Sequence, residues 1–198
     1  ISAHSIRVGA RSRRLGAMEL RGTRVVLRLP STFRRRDWAR LQRHFRDEEI
    51  AHFNGSRPIW YPRMVLAWML KSDERSPDRY TFGIYDEHDD FIGLVELYHV
   101  GQTQGTLGII IGERSHWSRG YGPDAIHALL EYAFYGLQLQ QVYLQTFGDN
   151  IRAQRAFGRV GFTETRRLNQ RRGRVEVHMT ITAEDLRRPE PPRSERAE

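Results

Sequence analysis

The residues best placed to do chemistry lie in one run, Ser115-His116-Trp117-Ser118-Arg119-Gly120-Tyr121-Gly122-Pro123-Asp124. Two glycines bracket a single residue, so the backbone can pass close to a ligand. A proline stands at the expected first helical position, where its missing N–H costs nothing. The N–H groups left free at a helix start point outward and attract phosphate, and Arg119 adds a fixed positive charge. The run reads as a pyrophosphate-binding turn. Taken alone, a Gly-x-Gly turn before a helix is more often ordinary strand-to-helix turn chemistry.

Its flanks supply the elements that position it. Residues 107–111, Leu-Gly-Ile-Ile-Ile, predict a strand buried on both faces. Ile126, Leu129, Leu130, Ala133 and Phe134 then form one apolar helical stripe. Residues 142–147 predict another strand. Beyond it Asn150 stands at an N-cap, Ala153, Ala156, Phe157 and Val160 make a second stripe, and Gly161 stops the helix.

Upstream, residues 24–29 predict a strand ended by Pro30, and Ser31 caps a helix with Trp38, Leu41 and Phe45 on its inner side. Residues 47–55 are expected to end that helix and turn. Pro62 opens a second helical pattern with Val65, Trp68 and Met69 expected inward. Residues 80–85 and 91–98 predict two strands joined by an acidic hairpin turn, and residues 162–167 and 174–181 a closing pair. Strict alternation puts Glu96 on one face with Ile92, Leu94, Tyr98 and Val100. A carboxylate on such a face is either ion-paired or functional.

This succession of buried strand, Arg-Gly-Tyr-Gly turn, helix, strand and Asn-x-x-Ala-x-x-x-Phe-x-x-x-Gly-Phe helix resembles the acetyl-CoA-binding core of the GNAT superfamily of N-acetyltransferases. Within it the chain is most similar to the branch of ribosomal-protein N-terminal acetyltransferases and spermidine/spermine N-acetyltransferases. The matching segments are Gly93-Leu94-Val95-Glu96-Leu97, residues 116–122 and residues 150–162, and the resemblance runs over residues 24–186. It implies an α/β (α+β) GNAT fold: a central mixed, mostly antiparallel sheet of six to seven strands, splayed at the cofactor cleft and flanked by about four helices.

The resemblance also implies a reaction: direct transfer of acetyl from acetyl-CoA to a primary amine, on a protein N-terminus, a lysine or a small amine such as a polyamine. By the same resemblance, backbone groups of Ile109, Ile110 and Ile111 hold the pantetheine arm. Trp117, Ser118, Arg119, Gly120, Tyr121 and Gly122 hold the diphosphate, with Asn150 and Phe157 completing the cofactor side. The loop between the first two helices walls the acceptor, and here it carries Phe53, Asn54, Trp60 and Tyr61. Such a rim could hold an amine by charge and ring contacts, or Trp60 and Tyr61 could pack beneath the loop.

Three departures bear on the catalytic groups. Many relatives carry a tyrosine at Phe157 to protonate the leaving thiolate, and phenylalanine cannot. Tyr143, Ser118 or water then takes that role, or the thiolate leaves unassisted. Many relatives also have a glutamate at Thr106, so Glu96 becomes the first candidate for orienting or deprotonating the amine, with Glu113, His99 and His116 behind it. Trp117 stands where the wider superfamily often has Gln or Arg.

Composition bounds the alternatives. A chain of 198 residues suits one domain, residues 18–186, between an extension (1–17) and a Pro-, Arg- and Glu-rich tail (187–198) expected to be disordered. With no cysteine there is no disulfide framework, thiolate metal site or cysteine nucleophile, which is compatible with a reducing cytoplasm; no metal is expected. No apolar run approaches the roughly 18 residues of a membrane span. Arg7, Arg11, Arg13 and Arg14 supply half of the formal net charge of +8. The remaining charge suits a polyanionic ligand such as coenzyme A. It also permits ribosome contact, although no RNA-binding motif is present and nucleic acid is not an expected partner. A homodimer is left open. Two other readings stand beside the enzyme: a non-catalytic acetyl-CoA-binding module, and a basic ribosome- or RNA-associated protein on the same fold.

Overall fold

The computed structural model describes residues 18–170 and 173–187. The expectations for residues 1–17 and for the tail beyond Arg187 lie outside the described residues. In chain order the elements are β1 (Glu19–Arg21), β2 (Val26–Arg28), α1 (Arg35–Arg46), α2 (Glu48–Phe53), α3 (Arg63–Asp73), β3 (Tyr80–Tyr85), β4 (Phe91–Tyr98), β5 (Gln104–Ile111), α4 (Tyr121–Glu131), β6 (Gln141–Phe147), α5 (Ile151–Val160), β7 (Thr163–Asn169) and β8 (Val175–Thr182). The strands form one sheet in the order β1-β2-β3-β4-β5-β6-β8-β7, and only the β5–β6 pair is parallel.

The sheet has eight strands rather than six or seven, because β1 is three residues long and too short to show alternation. A fifth helix, α2, forms where a turn was expected: the Asp47 carboxylate accepts from the N–H groups of Glu49 and Ile50 and caps it.

Alternation distributes the apolar side chains to two layers. On one face α1 and α3 pack over Phe33, Tyr85, Phe91 and Leu94. On the other, α4 packs Ile126, Leu129 and Leu130 over Leu27, Ile84, Val95 and Leu97, all nearly solvent-free. Burial of each such aliphatic side chain stabilises the fold by about 1.5–3 kcal/mol. The expected inner side of α3 is wrong. Leu66 and Leu70 are the buried residues, while Trp68 is 72% exposed and Val65 and Met69 sit at the border.

One irregularity matters for the site. Ile84 pairs with Gly93, but Tyr85 pairs with Phe91, so Ile92 is an extra residue in β4. This bulge places Ile92 in the α4-side core while Leu94 joins the α1–α3 side. Ile92 therefore does not share a face with Glu96, contrary to strict alternation, whereas Leu94 and Tyr98 do.

Candidate active site

β5 and β6 are paired at only three positions, Gln104 with Gln141, Gly105 with Val142 and Thr106 with Tyr143. Beyond them β6 stays paired with β8 to Phe147 and β5 stays with β4, so the two strands diverge and leave a wedge through the sheet. A cleft of about 880 Å³ occupies it. Its wall on one side of the sheet comes from α4 and α5. On the other side it comes from α1, α2, α3 and the loop following α2.

The wedge explains why Ile109, Ile110 and Ile111 are half-exposed rather than buried on both faces. Gly112 N–H donates to Ile92 O at 2.8 Å, and an antiparallel ladder alternates. Ile110 therefore directs its backbone groups at β4, and Ile109 and Ile111 direct theirs into the wedge. Ile111 O accepts from Trp117 Nε1 at 2.7 Å, which pins the turn to the end of β5.

Gly120, at φ +90°, is the N-cap of α4, a conformation open chiefly to glycine. The helix starts at Tyr121, so Pro123 is its third residue, not its first. The first internal bond is Asp124 N–H to Gly120 O, which leaves the Tyr121 and Gly122 N–H groups without an intrahelical acceptor. A Cβ on Gly120 would meet nothing within 4 Å, and one on Gly122 only Ile111 Cγ1 at 3.8 Å. The space in front of this helix end is open. Asp124, 4% exposed, locks the helix from behind by accepting from the N–H groups of Thr23, Arg24 and Val25 at 2.8–3.0 Å.

Of the turn residues, Trp117, Ser118, Gly120 and Gly122 line the cleft and Arg119 and Tyr121 do not. Arg119 is exposed and donates to Ser115 O at 3.2 Å. Tyr121 is buried; its hydroxyl donates to Glu87 and accepts from Arg24, each at 2.8 Å. On α5, Asn150 lines the cleft while its Oδ1 accepts from Ala153 N–H, and Phe157 lines it as a buried wall.

Sequence reasoning missed three neighbours of these two. Arg152, Arg155 and Arg159, spaced i, i+3 and i+7, also line the cleft. The Arg152 guanidinium lies 3.4 Å from the centre of the Trp117 ring. None of the three is within ion-pairing distance of a carboxylate among the described residues. Arginine spacing opposite an apolar stripe was the available signal, and it reads the same as a solvated face.

Across the sheet, Glu96 lines the cleft with Leu94, Tyr98, Thr81 and Arg79. Its Oε2 is 3.5 Å from Arg79 Nη1 and accepts from Thr81 Oγ1 at 3.4 Å. Desolvation raises the carboxyl above its ordinary range, against the opposing pull of Arg79 and Thr81. Glu176, which sequence reasoning also missed, lines the same cleft from β8, in register with Phe147. Gly55 abuts the Phe147 ring, so the loop after α2 reaches across to β6. Phe53 at the end of α2 and Asn54 and Tyr61 of that loop enter the lining; Trp60 stays outside it, 69% exposed, with Arg46 over its ring.

The structure places Tyr143 outside the lining, at the paired end of β6, where its hydroxyl donates to Gln141. His99 and Glu113 are likewise outside, and Glu113 is engaged by His44 and Arg43. His116 is inside, its Nε2 2.9 Å from the buried Asp86 carboxylate.

Comparison with known proteins gives a consistent picture. The family model described as acetyltransferase (GNAT) domain matches residues 24–163. No curated protein matches the chain. Among solved structures, the chain is similar to the spermidine N-acetyltransferase of Vibrio cholerae in complex with CoA and spermine (22% identity, TM-score 0.71, 81% of this chain and 96% of that one). It is also similar to Mycobacterium smegmatis RimJ in complex with CoA-disulfide (22%, 0.67, 87% and 89%). A third similar structure is a GNAT-family acetyltransferase of Bacillus anthracis (14%, 0.70, 84% and 99%). Among the described residues no helix is long and apolar enough to cross a membrane.

Proposed function

The chain belongs to the GNAT acetyltransferase family, enzymes that use acetyl-CoA, and from that premise we propose that it acetylates a primary amine at the wedge between β5 and β6. One observation carries the assignment of sides. A helix N-terminus with free N–H groups and three arginines stand on the α4–α5 side, and a desolvated carboxylate stands on the α1–α3 side of the same cleft.

The residues on the α4–α5 side fit coenzyme A. The N–H groups of Tyr121 and Gly122 and the turn from Trp117 offer a seat for a diphosphate, in space that only a side chain on Gly120 or Gly122 would fill. Arg152, Arg155 and Arg159 supply the countercharge that a further phosphate requires. The outward N–H and C=O of Ile109 and the outward N–H of Ile111 offer donors and an acceptor to the pantetheine amides and to the carbonyl oxygen. Bound there, acetyl-CoA supplies the acetyl group as a thioester.

Glu96 is the base in this reading. An amine attacks only as its neutral form, so the ammonium of the acceptor first loses a proton, to the Glu96 carboxylate directly or through water. Desolvation makes that carboxylate a better proton acceptor than one in solvent. The new N–C bond replaces the C–S bond, the nitrogen gives up its second proton to water, and sulfur leaves as thiolate. A thiol's ordinary pKa near 8.5 lets it depart and take a proton from water, so Phe157 does not bar the reaction. The test is acceptor-dependent release of CoA together with a heat of acetyl-CoA binding. Binding heat without release for any amine supports a non-catalytic module, and no heat at millimolar ligand overturns the reading altogether.

A further inference from the structure

We propose that the outer face of α3 docks the protein on an anionic lipid surface. The inference is independent of acetyl transfer at the wedge. Six of the nine large apolar side chains exposed among the described residues fall between positions 60 and 69. Met64, Trp68 and Trp60, 81%, 72% and 69% exposed, are the barest of them, and Tyr61, Val65 and Met69 adjoin them in the chain. At about 100° per residue, Met64, Val65, Trp68 and Met69 share an arc of about 140° on α3, opposite Leu66 and Leu70, which are buried. The helix thus carries a second apolar face that the fold does not use. A patch of this kind marks a contact surface.

Charge selects what covers it. The Arg46 guanidinium lies 5.1 Å from the centre of the Trp60 ring, and Arg57, Arg63 and Lys71 flank the patch in the chain. None of the four is within ion-pairing distance of a carboxylate among the described residues. Residues 50–72 contain no Asp or Glu, and the next two carboxylates are turned to other partners, Asp73 to Arg79 at 3.2 Å and Glu74 to the Ser31 N–H. A second copy is a poor occupant, because a two-fold contact sets the patch against itself and brings these cations together. An anionic surface meets all four.

Shape separates lipid from an acidic protein. Side chains this bare project from α3 and from the loop before it, and a protein partner would need a matching recess for each. A headgroup layer needs none: tryptophan and tyrosine rings settle at its level, and arginine and lysine extend to the phosphates. With 11 residues, α3 lies on such a surface and does not cross it. Tyr61 and Met69 belong to this face and also line the cleft, so docking brings the acceptor entrance to the lipid.

The experiment floats the full chain with vesicles of phosphatidylcholine alone and with vesicles of equal parts phosphatidylcholine and phosphatidylglycerol. Partition into the anionic vesicles should exceed that into the neutral ones at least about tenfold. Met64→Ser/Trp68→Ser, which keeps every charge and lies outside the cleft lining, should lower it about tenfold or more with the melting transition retained. Arg63→Gln/Lys71→Gln should also lower it about tenfold, and covers the case in which the first variant fails to fold. Equal partition into both vesicles overturns the inference. So does partition that a folded Met64→Ser/Trp68→Ser leaves unchanged, the mark of a basic chain drawn by net charge alone. A doubling of mass without lipid that the same variant abolishes gives the face to a second copy and overturns the inference. Absence from all vesicles, with retention on an immobilised glutamate–tyrosine copolymer that the variant loses, gives the face to an acidic protein and overturns it too.

Discussion

Glu96→Gln separates a catalytic carboxylate from a structural one, because the two roles predict opposite signs for stability. The substitution keeps shape and removes charge. The Glu96–Arg79 pair is 3.5 Å long with side chains 32% and 36% exposed, a setting in which such pairs contribute about 0.2–1 kcal/mol. Against that stands the direction of the Glu96 pKa. Folding raises it, chiefly by desolvation, so the folded chain binds this proton more tightly than the unfolded one. The corresponding stability is complete below the ordinary value of 4.5 and is lost as pH rises through the folded value. At pH 7.5 the ionised carboxylate is thus a burden to the fold, and a neutral glutamine should melt no lower than the parent. If Glu96 accepts the amine proton, kcat should fall about 100-fold, equivalent to about 2.7 kcal/mol of barrier. The acid limb that Glu96 gives to the kcat/KM profile, lying above pH 4.5, should vanish with it. Differential scanning fluorimetry and steady-state CoA release read both quantities on one preparation. A melting temperature lower by several degrees with unchanged turnover would refute the assignment and leave Glu96 an ion-pair residue.

Two further outcomes follow from the cofactor side. Gly122→Ala places a methyl group where only Ile111 Cγ1 lies near, in a helix that gains from losing a glycine, so stability should hold or rise by about 0.5–1 kcal/mol. Calorimetric affinity for acetyl-CoA should nevertheless weaken about tenfold or more, and unchanged affinity would remove the diphosphate from this turn. The double variant Arg155→Ala/Arg159→Ala should weaken CoA about tenfold, flatten its salt dependence, and affect dephospho-CoA less. Equal losses for both ligands would place the 3′-phosphate elsewhere.

Local patterns carried the hairpins well: residues 80–85 and 91–98 are β3 and β4 as the alternation of Tyr, Phe, Ile and Leu indicates. The turn and both cleft helices were legible for the same reason, since Gly120, Asn150 and the flanking stripes are local signals. What was lost depends on pairing between distant segments. The face of Tyr143 follows from alternation, but its height along β6, outside the cleft, follows from where β5 and β6 part. The same divergence turns the arginines of α5 from a solvated face into a lining. Helix α3 is apolar nearly all round, with Met64, Val65, Leu66, Trp68, Met69 and Leu70 within about two turns, so periodicity could not choose Leu66 and Leu70 over Trp68. Glu176 carries no local mark. It matters only because β8 lies beside β6 and sets it level with Phe147.

The unpaired lengths of β5 and β6 amount to two strand edges enclosed within the molecule. Apart from the Ile111 carbonyl, which Trp117 holds, their gap-facing groups are released from any ladder, so an extended ligand can bond to them without breaking a protein hydrogen bond first. Edges of this kind at the periphery of a sheet invite pairing with other chains. Here α5 flanks the gap on one side and the segment around Gly55 bridges to Phe147 on the other, which admits a slender arm and turns away a whole strand.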